Sequence, residues 1–340
     1  MIATGSAPIR PPVPGIDIEG VFGANSLDDG SSLMEAIDRK DAKRAVVVGG
    51  GYIGIEMAEA LMMRGLKVAL VDMLPQVMGT LDADMAALVA EALKEAGVEL
   101  FLGEKLEGFD EAGGSLAAVK TDKQVLAADL AVLGLGVRPN TGLAEEAGIT
   151  LGVRKAIEVD DHQKTGEENV WAAGDCAQSF HLVSKKPAWV ALGSVANKQG
   201  RVAGVNIGGG DAAFPGVVGT AITRFMETEI SRTGLSEREA EELGLDYVSR
   251  TITDHIRAGY YPDPGRITIK ILAEKATGRL LGAQIVGTRG AAGRIDVPAV
   301  ALHAGLTVKD MINLDLGYSP PFSSAWDPIH IAARQTLKLI

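Results

Sequence analysis

Two short apolar runs frame an amphipathic segment early in the chain. Ala45–Val48 and Lys67–Val71 have the length and β-branched composition of strands buried in a parallel sheet. Between them, Tyr52–Arg64 places apolar residues on one helical face, and Gly65 follows where a helix would end. The pattern predicts a strand–helix–strand unit whose two strands run parallel.

Apolar runs and helical spacings keep alternating up to Ile207. The further elements predicted there are a strand end at Met1–Ala3, a proline-rich extended segment up to Gly15, a helix at Ser31–Lys40 with Ser31 or Ser32 as N-cap, a helix at Asp82–Ala96, a strand at Val98–Leu102, a small antiparallel meander around Gly113 and Asp122, strands at Leu130–Leu135 and Val170–Ala173, and a helix at Ala188–Val205. This alternation predicts a doubly wound α/β domain.

The pattern changes after a run of three glycines that follows Ile207. The elements predicted beyond it are a segment at Thr220–Phe225, a helix at Ser236–Leu243, strands near Tyr247–Thr253, Arg266–Leu272 and Ala283–Val286, and helices near Pro298–Ala304 and Pro328–Leu337. They predict a separate α+β module.

Composition narrows the class of partner. The chain has 340 residues, 46% of them hydrophobic, and a formal net charge of −11, which argues against nucleic acid or an anionic membrane as the main partner. The five histidines show no metal-ligand spacing. A single cysteine excludes an intrachain disulfide, so we expect a cytoplasmic protein.

The strongest local motif is VVVGGGYIGIEMAEAL. Gly49, Gly51 and Gly54 form G-x-G-x-x-G between a predicted strand and helix, where the helix N-terminus offers N–H donors to a pyrophosphate. Asp72 ends the next strand, the expected place of a carboxylate that binds ribose hydroxyls and repels a 2′-phosphate. The motif predicts an NADH site. The alternatives are a turn without a ligand and an exposed strand-end aspartate.

Two further strand ends carry glycine and a polar residue. NVWAAGDCAQ runs into Gly174 and Asp175, so a ligand could lie against the backbone beside one carboxylate. ADLAVLGLGVRPN ends in Gly134, Gly136 and a turn, which is a second place for close approach. Each motif alone has moderate specificity.

The order of these motifs resembles the FAD-dependent pyridine nucleotide-disulfide oxidoreductase family. ATG at the start, the nucleotide motif, GVRPN and AAGDC occur in the family's order. TGLSEREAEELG, GYYPDPG, LLGAQIVG and YSPPFSSAWDP are similar to the branch of coenzyme A-disulfide reductases, NADH oxidases and persulfide reductases. The resemblance covers essentially the whole chain.

The resemblance implies cofactors, FAD and NAD, and residues near them. Thr4 and Gly5 would lie near the flavin, Asp175 would meet the ribitol chain, and the segment from Ala191 would aim a helix N-terminus at the flavin ring. The cofactor-binding residues expected in all are Thr4, Gly5, Gly49, Gly51, Tyr52, Ile53, Gly54, Glu56, Asp72, Gly136, Gly174, Asp175 and Ala191. Glu56 matches a position near the nicotinamide, with a solvated helix carboxylate as the alternative.

Tyr260 and Tyr318 match family tyrosines that reach across a dimer to the partner's active site. There a tyrosine hydroxyl can donate to sulfur or orient the substrate, so both are expected to be catalytic. Packing in the core or at an interface is the alternative for each. Trp326 stands where relatives often carry a basic residue, which weakens phosphate recognition at that point.

Two features of the family are missing from the sequence. The first G-x-G-x-x-G, which grips the FAD pyrophosphate, and the catalytic cysteine of the N-terminal FAD segment are both absent. Cys176 follows Asp175 where the family often has cysteine, and we expect it to pack rather than to react. Met1 is therefore expected to lie inside the FAD domain, with its N-terminal segment absent from this chain.

The resemblance implies an α/β fold in which a NAD-binding domain is inserted in a split, N-terminally incomplete FAD domain. The expected parts are residues 1–22 (end of the first FAD segment), 23–148 (NAD-binding domain), 149–212 (second FAD segment) and 213–340 (α+β dimerisation domain). The implied function passes hydride from NADH through FAD to a disulfide or persulfide such as a coenzyme A derivative, in a homodimer. An oxygen-reducing NADH oxidase and an inactive nucleotide-binding fragment stay open as alternatives.

Overall fold

A computed structural model describes residues 1–40 and 42–340 of the chain. The described residues form two compact units. The first unit comprises Met1–Pro8 and Val137–Thr220, and the second comprises Ile9–Gly136 and Ala221–Ile340. Within the described part of the chain, no helix is both long and apolar enough to cross a membrane.

The secondary structure elements are numbered in chain order. The strands are β1 (Ser6–Pro8), β2 (Val21–Phe22), β3 (Arg44–Val48), β4 (Lys67–Asp72), β5 (Glu99–Leu102), β6 (Leu106–Ala112), β7 (Ser115–Thr121), β8 (Val125–Ala127), β9 (Leu130–Leu133), β10 (Val137–Pro139), β11 (Ser179–His181), β12 (Lys186–Ala188), β13 (Ala221–Phe225), β14 (Thr228–Gly234), β15 (Tyr247–Asp254), β16 (Ile267–Glu274) and β17 (Leu280–Gly287). The helices are α1 (Leu27–Lys40), α2 (Tyr52–Met63), α3 (Ala83–Glu95), α4 (Gly142–Glu146), α5 (Gly193–Ile207), α6 (Glu237–Glu242), α7 (Asp296–Ala304), α8 (Val308–Ile312) and α9 (Pro328–Leu337), with 3-10 turns at Val153–Lys155 and Ala292–Ile295.

A parallel five-stranded sheet of order β2-β9-β3-β4-β5 forms the centre of the second unit. Its middle strands are buried on both faces, which explains their continuous apolar runs. One face packs on the helices through residues such as Ile55, Met85 and Val89, and the other packs on the β6–β7–β8 meander through Phe109 and Leu116. The predicted strand–helix–strand unit and meander are confirmed.

The helix predicted at Ser31–Lys40 begins one turn earlier, so the prediction of Ser31 or Ser32 as N-cap is wrong. The Oγ of Ser26 accepts the Asp29 N–H at 3.1 Å, and Oδ2 of Asp29 accepts the Ser26 N–H at 3.0 Å. This reciprocal pair caps α1 at Leu27. The run of polar residues and glycine between Leu27 and Leu33 contains no apolar spacing that would indicate the first turn.

The first unit corrects two predicted elements. Val170–Ala173 is not a continuous strand, because only Trp171 and Ala172 make isolated bridges there. Ala172 forms a parallel bridge with Ile2, whose N–H donates to Trp171 O at 2.7 Å, so the strand end predicted at Met1–Ala3 meets this segment. The helix predicted from Ala188 begins at Gly193, since residues 186–188 form strand β12.

The C-terminal half of the second unit contains an antiparallel sheet of order β13-β14-β17-β16-β15. Strand β14 and helix α8 were not predicted. The inner face of β14 carries polar residues such as Ser231 and Thr233 that are fully or nearly fully buried, so the strand lacks an apolar alternation. Phe225 and Ile230 of this sheet join the same apolar core as α2 and α3.

Candidate functional site

The glycine-rich turn follows β3 and leads into α2, as its sequence predicts. Gly49 has φ of +108°, and its N–H donates to Val71 O at 2.7 Å on the neighbouring strand β4. Gly50 O accepts the Met78 N–H at 2.7 Å. Backbone hydrogen bonds therefore fix both sides of the turn before the helix begins.

The glycines of this region divide into two groups by what surrounds them. A Cβ on Gly49 would lie 2.4 Å from Gly134 O, and one on Gly54 would lie 1.8 Å from Gly49 O. These three glycines allow strand β3, helix α2 and the end of β9 to approach each other. A Cβ on Gly51 or Gly136 would meet no atom within 4 Å. These two positions therefore face open space, where a ligand could approach the protein backbone.

Asp72, at the end of β4, lies against the same turn. Its Oδ2 accepts the Gly50 N–H at 2.6 Å, and its Oδ1 accepts the Leu74 N–H at 2.8 Å. Two backbone donors thus hold the carboxylate in one orientation beside the glycines. A negative charge fixed at this point favours ribose hydroxyls and disfavours a phosphate on the ribose.

The first residues of α2 present backbone N–H groups beside the turn. Gly51 is the N-cap residue and has no side chain to hydrogen-bond them, so the helix N-terminus is suited to an anion. The side chain of Tyr52 turns into the core, where its hydroxyl accepts a hydrogen bond from Thr80 Oγ1 at 3.4 Å and burial raises its pKa. Tyr52 and Ile53 would therefore act through their backbone.

Glu56 lies one turn further along α2 and is exposed. Its Oε1 accepts a hydrogen bond from Thr223 Oγ1 at 2.6 Å, and Glu59 Oε2 accepts the Met226 N–H at 2.7 Å. Two carboxylates on one helix face thus fasten α2 to the β13–β14 hairpin. The role of Glu56 beside a nicotinamide stays a prediction.

Three motifs far apart in the sequence meet in the first unit. Thr4 Oγ1 donates to Asn140 O, and Asn140 Nδ2 donates back to Thr4 O at 3.3 Å. The Asn140 N–H also donates to Gly5 O at 2.9 Å. Ser6 Oγ donates to Asp175 Oδ2 at 2.8 Å. One cluster therefore contains parts of three motifs that were identified separately in the sequence: ATG (residues 3–5), RPN (138–140) and GD (174–175).

Asp175 is half-buried within this cluster, and its surroundings leave a carboxylate oxygen for a ligand. Gly174 before it has φ of +83°, and the Trp189 Nε1 donates to Asp175 O at 2.7 Å. Gly5 has φ of +69° with no atom within 4 Å of an added Cβ. Two left-handed glycines and a held carboxylate therefore lie in this cluster, and the binding of a polyol chain to them stays a prediction.

Sequence reasoning missed Gln199, which organises the Gly174 loop. Gln199 is fully buried on α5; its Oε1 accepts the Gly174 N–H at 2.9 Å, and its Nε2 donates to Gln178 O and Ser179 Oγ, both at 3.0 Å. A signal was present, since Gln199 stands at helical spacing between Val195 and Val202 on the buried face. A polar residue in an apolar helix stripe is expected to serve a neighbouring loop.

The helix expected to face the flavin is α5, with Ala191 two residues before it. Its first residues, Gly193 and Ser194, are exposed, and its first turn contains no acidic residue. The N-terminal dipole of this 15-residue helix is therefore not neutralised by its own side chains.

Tyr260 and Tyr318 come together in the second unit although 57 residues separate them in the sequence. They are 77% and 54% exposed. The neighbouring Tyr318 hydroxyl raises the pKa of Tyr260, because it favours the protonated form of the Tyr260 hydroxyl. The structure thus forms an exposed pair of hydroxyls from two residues that were predicted one by one.

Cys176 lies in the core of the first unit with no exposed surface, 3.3 Å from Ala173 O. This burial agrees with the packing role expected for it. The described residues contain no group of three or more histidine, cysteine or acidic side chains placed to hold a metal ion. Trp326 packs against the Arg334 guanidinium, whose carbon lies 5.0 Å from the ring centroid.

Two protein-family models match the chain. Residues 1–200 match the pyridine nucleotide-disulphide oxidoreductase family, and residues 220–329 match the dimerisation domain of that family. The chain belongs to the pyridine nucleotide-disulphide oxidoreductase family. The resemblance read from the motifs is confirmed, together with the α/β fold class and the presence of a dimerisation domain.

The relatives of this pyridine nucleotide-disulphide oxidoreductase include persulfide reductases and NADH oxidases. An NAD(P)H coenzyme A polysulfide/persulfide reductase of Pyrococcus horikoshii is 39% identical over 338 residues, which are 98% of this chain and 75% of the relative. The structure of a NAD-dependent persulfide reductase from A. fulgidus has a TM-score of 0.96 and 39% identity, covering 99% of this chain and 62% of that chain. The chain therefore spans less than two thirds of that neighbour.

A water-forming NADH oxidase from Lactobacillus brevis, solved with NADH, has a TM-score of 0.93 and 29% identity over 99% of this chain and 74% of its own. An engineered NADPH oxidase made from it carries five substitutions, among them aspartate to alanine directly followed by alanine to arginine, and was solved with NADPH. Members of the family bind FAD and NAD(P)H, as predicted from the sequence. The four domain boundaries and the individual residue roles stay predictions.

Proposed function

We propose that the protein is an NADH-dependent flavoprotein oxidoreductase that delivers reducing equivalents to a disulfide or persulfide, with a coenzyme A derivative as the substrate class. The catalytic cysteine of the family is missing from this sequence. The observation that carries the proposal is the glycine turn with the fixed Asp72 carboxylate in a chain of this family. A sulfur acceptor is favoured because the 39% identical relatives are coenzyme A persulfide and NAD-dependent persulfide reductases.

The NADH half of the proposal rests on residues of the second unit. Gly51 leaves open space at the start of α2, and the helix N-terminus would bind the pyrophosphate through backbone N–H groups. Asp72 would accept hydrogen bonds from the ribose hydroxyls. The neighbouring Met73 carries no charge, whereas the engineered NADPH oxidase gained an arginine directly after a lost aspartate.

The flavin half rests on the first unit. Gly5 and Gly174 in left-handed conformation, the open space at Gly5 and the half-buried Asp175 fit a flavin's polyol chain. Thr4, Gly5, Gly174, Asp175 and Ala191 would hold FAD in this unit. When bound, FAD supplies the two-electron relay between NADH and the sulfur acceptor. Gln199 and Trp189 keep the Gly174 loop in place.

The substrate side rests on the tyrosine pair and on association of two chains. Tyr260 and Tyr318 present adjacent hydroxyls at the surface of the dimerisation domain, where each could donate a hydrogen bond to sulfur. We propose a homodimer in which these tyrosines contact the substrate. The cytoplasmic location expected from the single cysteine stays part of the proposal.

Anaerobic and aerobic turnover of NADH would test this function in an FAD-loaded protein to which the family's N-terminal FAD segment, with its catalytic cysteine, has been joined. We expect NADH consumption to depend on added coenzyme A disulfide or coenzyme A persulfide, with thiol released in proportion. NADH consumption that needs only oxygen would instead assign an NADH oxidase, the activity of the L. brevis relative. Tight NADH binding without turnover of any acceptor would contradict an enzymatic role for the chain.

A further inference from the structure

The two loops that carry the tyrosine pair are irregular, so neither a helix nor a strand holds their side chains in place. Residues 255–265 form turns and bends between β15 and β16, and residues 318–327 form a loop before α9. A single backbone hydrogen bond, from Ala258 N–H to Pro320 O at 3.2 Å, joins these two loops directly. The relative placement of two exposed hydroxyls therefore needs further support.

Arg294 supplies contacts to both loops from the 3-10 turn that precedes α7. Its Nη2 donates to Ile256 O at 2.9 Å on the first loop and to Phe322 O at 2.8 Å on the second. Its Nη1 donates to Gly290 O at 3.1 Å. One guanidinium nitrogen therefore joins the backbones of the two tyrosine loops, and the same side chain fixes its own segment.

Asp327 orients this guanidinium. Its Oδ2 accepts from Arg294 Nε at 3.1 Å and from Ser323 Oγ at 2.9 Å, while its Oδ1 caps α9 by accepting the Ile329 N–H at 2.9 Å. The side chains of Arg294 and Asp327 are only 14% and 10% exposed. The ion pair is thus shielded from water and anchored to a helix, which limits its freedom of movement.

We propose that Arg294 is a positioning residue that sets the distance between the Tyr260 and Tyr318 hydroxyls by tying their two loops to one rigid side chain. The relevance of this distance to turnover rests on the proposed function, because only there do the tyrosines contact a sulfur substrate. The geometry itself is independent of any substrate. No local sequence pattern marks Arg294 for this role, since three of its four acceptors, on Ile256, Phe322 and Asp327, come from distant segments of the chain.

The chemistry of arginine suits this task better than that of lysine. Its planar guanidinium offers five N–H donors in fixed directions, and the structure uses them on three carbonyl oxygens and one carboxylate. A lysine ammonium is a single centre with three donors and cannot span all four acceptors. Arg294→Lys should therefore keep the charge beside Asp327 and only part of the connection between the loops.

Fluorine NMR of the protein labelled with 3-fluorotyrosine would test the proposal without any turnover. The sequence contains five tyrosines, and Tyr260 is assigned by the resonance lost in Tyr260→Phe. In the parent protein, Tyr318→Phe should shift the Tyr260 resonance because the neighbouring hydroxyl disappears. When Arg294 is replaced by Gln, Tyr318→Phe should shift the Tyr260 resonance by at most about half as much. The reason is that the coupling between two groups falls when their contact is lost.

Controls separate positioning from a general loss of structure. Arg289→Gln removes an exposed arginine from the same segment and should leave the parent shift intact, whereas Arg294→Lys should restore part of it. If Arg294→Gln does not fold, Ser323→Ala keeps Arg294 and removes one hydrogen bond to Asp327, and a smaller reduction is expected. An unchanged Tyr318→Phe shift in a folded Arg294 or Ser323 variant would overturn the proposal.

Turnover distinguishes this inference from the function on which it rests. If the fluorine coupling depends on Arg294 but Tyr260→Phe and Tyr318→Phe turn over coenzyme A disulfide normally, the positioning holds and the proposed role of the tyrosines fails. If both tyrosine variants lose turnover but the effect of Tyr318→Phe on the Tyr260 resonance is the same with and without Arg294, the proposed function holds and the positioning role of Arg294 fails.

Discussion

At the scale of single residues, the glycines of the nucleotide turn differ in what a side chain would meet. Gly54 faces Gly49 O at a distance that no Cβ can occupy, whereas Gly51, with φ of −82°, faces open space. The same motif therefore contains a packing glycine and a glycine that leaves room for a ligand. One methyl group added at each position should separate these two roles.

Gly54→Ala should destabilise the fold, and Gly51→Ala should weaken nucleotide binding while leaving the fold intact. The first forces strand β3 and helix α2 apart at a cost of about 1–3 kcal/mol in unfolding free energy, as overpacking typically does. The second places a methyl group where the pyrophosphate would approach the backbone. Denaturant unfolding and NADH binding measured on both variants check this; equal loss of stability in both would contradict it.

Tyr260→Phe and Tyr318→Phe each remove one hydroxyl and leave the rings in place. We expect turnover with coenzyme A disulfide to fall by about 10²-fold in either variant, the usual contribution of a positioned proton donor. Reduction of bound flavin by NADH should not change, because neither tyrosine belongs to the nucleotide site. Tyr261→Phe is the matched control on the same loop, and a loss of turnover there as large as in Tyr260→Phe would contradict the assignment.

At the scale of elements, Lys270 joins helix α3 to the antiparallel sheet. The side chain is 5% exposed, and its Nζ lies 2.8 Å from Asp84 Oδ1, 2.8 Å from Glu237 Oε2 and 3.2 Å from Asp82 Oδ2. Burial opposes the charged form of Lys270, but the hydrogen bonds to Asp84 and Glu237 raise its pKa above the ordinary value. The ammonium therefore stays charged over the neutral range, and its stabilisation is lost only as the pH rises through that raised pKa.

Lys270→Met should leave three carboxylates together without their cation. We expect a loss of about 3–5 kcal/mol in unfolding free energy at neutral pH, the usual effect of breaking a buried ion pair. Burial already raises the pKa of Asp82, and removal of the ammonium raises it further. Protonation of the folded state then offsets part of the loss, so the loss should be smaller near about pH 5 than at neutral pH.

Unfolding of Lys270→Met and of the parent at both pH values provides the measurement. Lys275→Met, an exposed lysine that follows the same strand, is the control and should change stability little. A loss that grows as the pH falls would show that the three carboxylates are not the reason for it.

The sequence predicts most of the strands and helices whose buried faces carry apolar side chains. Four of the five strands of the parallel sheet (β3, β4, β5 and β9) and helices α2, α3 and α9 follow from apolar runs and helical spacing. The two-residue strand β2 was not predicted. Strand β14 was missed because Ser231 and Thr233 are buried polar residues. The partners of such residues come from distant segments, for example Ala292 O for Ser231 Oγ, and a local pattern does not contain them.

At the scale of the whole molecule, the sequence indicates candidate site residues but not the contacts that connect them. The glycine turn, Asp72 and Asp175 were found from strand-end motifs. The meeting of Thr4, Asn140 and Ser6 with the Asp175 loop, and the roles of Gln199 and Arg294, depend on tertiary contacts over more than twenty residues of chain. No sequence motif marks these supporting residues. Their partners are mostly backbone atoms, which any residue type supplies.

The dimerisation domain presents exposed aromatic side chains around the tyrosine pair. Phe322 is 74% exposed beside Tyr318 on the same loop, an arrangement expected of a surface that becomes buried between two chains. Phe322→Asp should convert the proposed homodimer to a monomer in light scattering after size exclusion, because the interface would then bury an unpaired charge. Leu27→Asp, a change at a 92% exposed residue of α1, should leave the dimer intact. A parent protein that is already monomeric would contradict the proposed assembly.

Under the proposed function, this protein takes hydride from NADH at the turn held by Asp72 and passes it to bound flavin. The test is anaerobic mixing of the FAD-loaded protein with NADH or NADPH, with the flavin absorbance followed over time. We predict bleaching by NADH at a rate at least about tenfold above that with NADPH, and a reversed preference in Asp72→Ala combined with Met73→Arg. This hydride transfer is ruled out if the protein takes up no flavin, if its flavin stays oxidised with NADH, or if NADPH reduces the flavin faster than NADH does.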